Sequence, residues 1–226
     1  MGCFGECTLA ALAARTYTYR MLHVVFGSEP TERELTLLNS ESTVEACTAL
    51  ADVGYSKAAL LVDAVAPFAE HLASPAFLDG LRDQYVRLFL VPGDSYVKPW
   101  ESVYATAEAT LFTRCTLNVR AAYESLGFQA RERGHFPEDH LSMMFDFMAA
   151  VSERAYEAAA ADNSDQVANL LNAQFSFATA HLANWLPRFS KALSEHDAAG
   201  FFAAFGRAAR VFVEDDIRVI LSHGIQ

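Results

Sequence analysis

The chain has no run of about eighteen uncharged apolar residues, so no segment is built to cross a bilayer as a helix. It has no Lys or Arg before Arg15 and carries Glu6 in that stretch, so the basic region of a secretory signal is missing. Gly2 is followed at position 6 by Glu, where a myristoylation motif takes Ser or Thr. A cytoplasmic location is expected. Cysteine is scarce: Cys3, Cys7, Cys47 and Cys115 make no dense disulfide framework in 226 residues. Cys3 and Cys7 can face each other on a helical turn, but no second Cys/His pair stands at zinc-type spacing. Reduced thiols and no metal are expected. Lys and Arg number 17 against 28 Asp and Glu, a net charge of −11. That balance disfavours nonspecific binding to nucleic acid or anionic membranes and suits basic partners. A Gly-rich phosphate loop of the Walker type is absent, so nucleotide hydrolysis is not expected.

What is present is helical. Hydrophobic residues make up 52% of the chain, enough for a substantial core. No Asn-Gly or Asp-Gly pair joins two alternating strands. The pattern predicts helices over 6–26, 30–39, 43–53 and 56–72, the last interrupted near Pro67. Ser74-Pro75 is an N-cap with proline in the first helical position, opening a helix to about Leu90. A loop over 91–99 precedes one long helical pattern over 101–126, ended by Gly127 as a left-handed cap. Pro137 opens the next helix, with Leu141, Met144, Phe145 and Met148 on one face. Helices over 164–181 and 196–222 follow, with Pro187 as a kink or restart between them. The expected fold is all-α: a single globular domain over 1–226 of roughly ten helices. Residues 128–136 form a seam across which two chains could exchange their C-terminal helices, a monomer being the default.

Three blocks stand out. The first is Tyr85-Val-Arg-Leu-Phe-Leu-Val-Pro-Gly, continued by Lys98-Pro-Trp-Glu-Ser-Val-Tyr104. The second is Phe136-Pro-Glu-Asp-His-Leu141, and the third is His181-Leu-Ala-Asn-Trp-Leu-Pro-Arg-Phe189. None pairs a nucleophile with an evident base, and together they suggest a recognition surface. Glu138 and Asp139 suit the positive end of a helix, and either serve only that terminus or form an acidic rim for an arginine-bearing peptide. His140 packs internally or joins that rim. Trp100 and Tyr104, four apart on a helix face, are candidate walls of an apolar groove. His181, Trp185 and Phe189 fall on one stripe, as core residues do.

The three blocks, in order and spacing, resemble the TorD/DmsD/NarJ-type maturation chaperones of molybdenum oxidoreductases. The resemblance covers roughly residues 80 to 190 and implies the TorD/DmsD-like helical fold. It further implies that Pro99, Trp100, Pro137, Asp139 and His140 help bind a partner's leader peptide. A Glu commonly precedes that family's Pro-x-Asp-His; here His135 and Phe136 stand there, and Glu138 is the residue that could replace it. The implied function is that of a non-enzymatic chaperone. It would bind the catalytic subunit of a molybdenum oxidoreductase, often by a twin-arginine leader, until the client's molybdenum cofactor is inserted. Weak guanine-nucleotide binding is associated with some family members, and an adaptor for the mature subunit is a NarJ-like variant. The rival reading is a helical metal-dependent hydrolase using Asp139 and His140, with His135 or His181. On the chaperone reading, Asp139→Ala is expected to weaken leader binding without unfolding the protein.

Overall fold

Helix α1 (Glu6–Gly27) buries Leu12, Arg15, Tyr19, Leu22 and Phe26 on one face, the spacing of an amphipathic helix. That face packs along α8 (Leu141–Ala160), and the two form the centre of the molecule. Ser142 at the start of α8 lies so close to Gly27 that a Cβ there would sit 2.8 Å from its hydroxyl oxygen. The remaining helices of this computed structural model surround that pair. They are α2 (Glu32–Leu38), α3 (Glu41–Asp52), α4 (Leu60–Val65), α5 (Pro75–Tyr85), α6 (Glu101–Ala105), α7 (Arg114–Ser125), α9 (Ser164–Phe177), α10 (Leu186–His196) and α11 (Phe201–His223). The structure describes residues 5–105, 111, 113–129 and 137–223, which excludes Cys3, His135 and most of the expected seam. α3 lies on α1, α9 on α8, and α11 on α10 and α4. Among the described residues there is no strand, and no helix is long and apolar enough to cross a membrane.

Local chemistry explains most element ends. Thr31 and Glu34 form a reciprocal capping box at α2, and Ser74 accepts from Phe77 N–H with Pro75 in the first turn. Gly127 has φ 76°, the left-handed conformation expected after α7. Three expectations need correction. The segment over 56–72 is helical only at α4, followed by a 3₁₀ turn at Ala66–Phe68 that contains Pro67. The pattern over 101–126 is two helices, because Thr113 is extended and caps α7 afresh through Cys115 N–H. The last helix begins at Phe201 and not at His196, because Asp197 turns the chain and its carboxylate accepts from Ala203 N–H at 2.8 Å. The helices expected to end near Leu90 and His181 do end there, each through a π turn, Val86–Leu90 and Ala178–Leu182.

One buried ion pair crosses the core. Arg15 reaches Asp216 through Nε at 2.6 Å and Nη2 at 3.0 Å, both side chains being almost wholly buried. Tyr19 donates to the same carboxylate at 2.7 Å, and the Tyr55 hydroxyl donates to it as well. Arg15 also donates to Gln174, whose amide bonds Met148 O and Ser152 of α8. Burial opposes the charge on Arg15, but Asp216 beside it more than compensates, and the net shift is upward. Both tyrosines are pushed up by burial and by Asp216, so they stay protonated donors. Asp216→Asn is expected to lower unfolding free energy by about 3–5 kcal/mol in urea denaturation, the cost of stranding a buried charge. Replacing Arg15 and Asp216 together by Met and Leu should cost less than the two single changes summed.

Candidate functional site

The 91–99 loop is anchored by Val97 N–H donating to Leu88 O at 2.7 Å, which delivers Pro99 to the start of α8. There two backbone bonds join the first and second blocks as an antiparallel bridge between Trp100 and His140. Leu141 N–H donates to Pro99 O at 2.8 Å, and Glu101 N–H to Asp139 O at 3.1 Å. The Trp100 and His140 rings meet edge to face at 5.1 Å. α8 begins at Leu141 and not at Pro137; His140 is its N-cap, with Nδ1 accepting from Ser142 N–H at 3.2 Å. Glu138 and Asp139 thus precede α8 and act elsewhere. Asp139 accepts from Ser102 N–H and from the Thr116 hydroxyl, each at 2.8 Å, tying α6 to α7. Glu138 receives both arms of Arg120 at 2.8 and 2.9 Å, and its carbonyl accepts from Tyr123 OH.

The third block closes the junction. His181 Nδ1 lies 3.1 Å from Glu101, and Trp185 donates from its indole to His181 O at 2.6 Å. Tyr104 stacks on Trp185 at 5.3 Å, and the Arg188 guanidinium lies over the Tyr104 ring at 5.7 Å from its centre. Burial raises the Glu101 carboxyl, opposed by His181, and pushes Tyr104 up to about 12. His140 is pushed down to about 3, by burial first and by His23 second, so its ring is neutral at neutral pH.

The structure therefore brings all the predicted site residues into one junction. Pro99, Pro137, Glu138, Asp139 and His140 are buried, while Trp100 and Tyr104 are half-buried. Glu138 and Asp139, at 1% and 0% exposure, make no exposed acidic rim. Sequence reasoning missed their partners Thr116, Arg120 and Tyr123, although the spacing of these three marks one polar face of α7. Around the junction in the chain stand four exposed apolar side chains, Leu90, Val91, Leu111 and Leu117. Beside it a groove of about 570 Å³ opens between α1, α7 and α8, with Met143, Phe147 and Phe128 in its lining and Asp146 among its polar groups. Among the described residues no three His, Cys, Asp or Glu side chains converge as a metal set, and nothing supports the hydrolase reading. His135 lies outside the described residues.

Residues 56–191 match the family described as nitrate reductase delta subunit. The chain belongs to this family. Its delta-subunit relatives include the TorD chaperones, and the all-α fold is theirs. Chaperone protein TorD of Vibrio cholerae serotype O1 (strain ATCC 39315 / El Tor Inaba N16961) is 30% identical over 136 residues, 60% of each chain. The match thus spans less than two thirds of that relative's length. Chaperone protein TorD of Shewanella loihica is 28% identical over 92% of this chain and 93% of its own. Among solved structures, a candidate redox enzyme maturation protein from Archaeoglobus fulgidus superposes with TM-score 0.50 at 19% identity, covering 88% of this chain and 93% of its own.

The burial of Asp139 changes the expectation for its substitution. Asp139→Ala removes the acceptors of Ser102 N–H and the Thr116 hydroxyl, so it should destabilise the fold by ~2 kcal/mol in thermal or urea unfolding. His140 makes stability pH-dependent. Its folded pKa lies below the ordinary value, so the unfolded chain takes up a proton first as pH falls. Stability is kept above about pH 6.5 and falls toward pH 3 by up to about 1.4 kcal/mol per pH unit from this group. His140→Asn, which keeps a capping acceptor, should flatten the slope in that window.

Proposed function

We propose that this protein is a chaperone of redox-enzyme maturation without catalysis of its own. It binds the catalytic subunit of a molybdenum oxidoreductase in the cytoplasm, through a twin-arginine leader peptide or the apo-subunit. It holds that client back until the molybdenum cofactor has been inserted. Membership of the delta-subunit family and the curated TorD relatives support this reading. The structural observation that carries it is the inward-turned junction of the three blocks. Its carboxylates bond Arg120, Thr116 and the α6 backbone, while Trp100 and Tyr104 stay half-buried and so partly open to solvent.

Peptide recognition then divides in two. Pro99, Pro137, Glu138, Asp139 and His140 shape the site from within, and Trp100 and Tyr104 meet the peptide. Apolar burial of the leader's hydrophobic stretch supplies most of the affinity, and exposed acidic side chains orient its arginines. Such contact suits a reversible interface of modest area.

Calorimetric titration with leader peptides of molybdoenzymes encoded in the same genome tests the proposal, together with titration of the apo-subunits. Saturable binding that weakens with salt and is lost when the paired arginines become alanine is expected. Trp100→Ala and Tyr104→Ala should each weaken it by about 1–2 kcal/mol, roughly five- to thirty-fold. Binding to apo-subunit but not to leader would favour the adaptor variant. Binding to neither would overturn the proposal.

A further inference from the structure

A second concavity lies between α4 and the first half of α11, apart from the three-block junction. Ala204, Arg207, Ala208 and Val211 recur on one face of α11 and line a groove of about 300 Å³. Lys57, Arg207 and Arg210 bring three cations to this groove against one carboxylate, Asp63, in a chain of net charge −11. Among the described residues, Arg15, Arg20, Arg120 and Arg218 are each tied to a carboxylate. Arg210 is likewise bonded to Glu214 at 2.7 Å. Lys57 and Arg207 are both exposed, and among the described residues neither side chain has a hydrogen-bonding or ionic partner.

The position of Lys57 is held by the fold. Asp215 on α11 accepts from the backbone N–H of Ser56 at 2.8 Å and of Lys57 at 3.2 Å. Burial works against that carboxylate, yet Arg218 and Ser56 bring its pKa below the usual range, so it stays ionised. The lysine stem therefore leaves the backbone at a fixed point beside the arginines of the same helix. The alanines keep the floor open, and Leu60 and Val211 give it an apolar wall.

We infer that this groove binds a small molecule that carries a compact oxyanion group, a phosphate or a carboxylate. A planar guanidinium pairs with either through two parallel N–H bonds, and the lysine ammonium adds a point charge. The volume is at the lower end of the roughly 300–1,000 Å³ of small-molecule sites. The inference is independent of client binding.

Titration calorimetry of the full chain with inorganic pyrophosphate, and separately with citrate, tests it. At least one should bind saturably, and Arg207→Gln and Lys57→Gln should each weaken that binding about ten-fold, a loss of the size expected for one charge-assisted contact. Arg33→Gln, an exposed cation away from the groove, should leave it unchanged. Circular dichroism checks that all three variants keep their helices. Tighter binding of pyrophosphate assigns a phosphate ligand, and tighter binding of citrate a carboxylate ligand. Absence of saturable binding to both, binding unchanged by Arg207→Gln, or equal weakening by Arg33→Gln would overturn the inference.

Discussion

The buried pair of Arg15 and Asp216 is the constraint on which the core arrangement depends. A charge with almost no access to water is tolerable only when its partner and remaining hydrogen bonds are in place. Asp216 satisfies this with Arg15, Tyr19 and Tyr55, and Arg15 with Asp216 and Gln174. These residues come from α1, α9, α11 and the turn after α3, and Gln174 extends the set to α8. Apolar packing alone tolerates small slippage between helices. A shared carboxylate does not, because every shift strands a polar group. The pair thereby fixes the rotation of α1, whose opposite end delivers Gly27 against Ser142 at the start of α8.

The three-block junction obeys the same rule on a smaller scale. Asp139 is shared by α6 and α7, Glu138 by Arg120, and Glu101 by His181. Each block thus supplies a group that another block needs. Such closure gives a short, five-residue helix such as α6 a defined place that its own length would not secure. Trp100 and Tyr104 stay half-buried at its edge. On the proposed reading, this division would suit a chaperone that releases its client, with buried polar bonds holding the frame and partly exposed aromatics making the contact.

The fold class was legible because its signals are local. Ser74-Pro75, Thr31 with Glu34, Gly127 and the apolar spacing of α1 and α8 each act within a turn or two of the chain. The breaks were less legible. Residues 101–126 read as continuous because their side chains suit a helix throughout, but Thr113 caps a new one. Similarly, Asp197 ends one helix turn and caps the next through Ala203, which moved the start of α11 to Phe201.

The site divides along the same line. The sequence by itself determined the helical class and marked three blocks, with their prolines and aromatics, that the fold brings together. It could not determine which way Glu138 and Asp139 point. Their partners Arg120, Thr116 and Ser102 lie 18 or more residues away in the chain and become neighbours only when α6 and α7 fold back against the start of α8. The choice between an acidic rim and an internal clamp was therefore decided by tertiary structure. A carboxylate near a helix start is equally content with water or with donors, and burial removes the water.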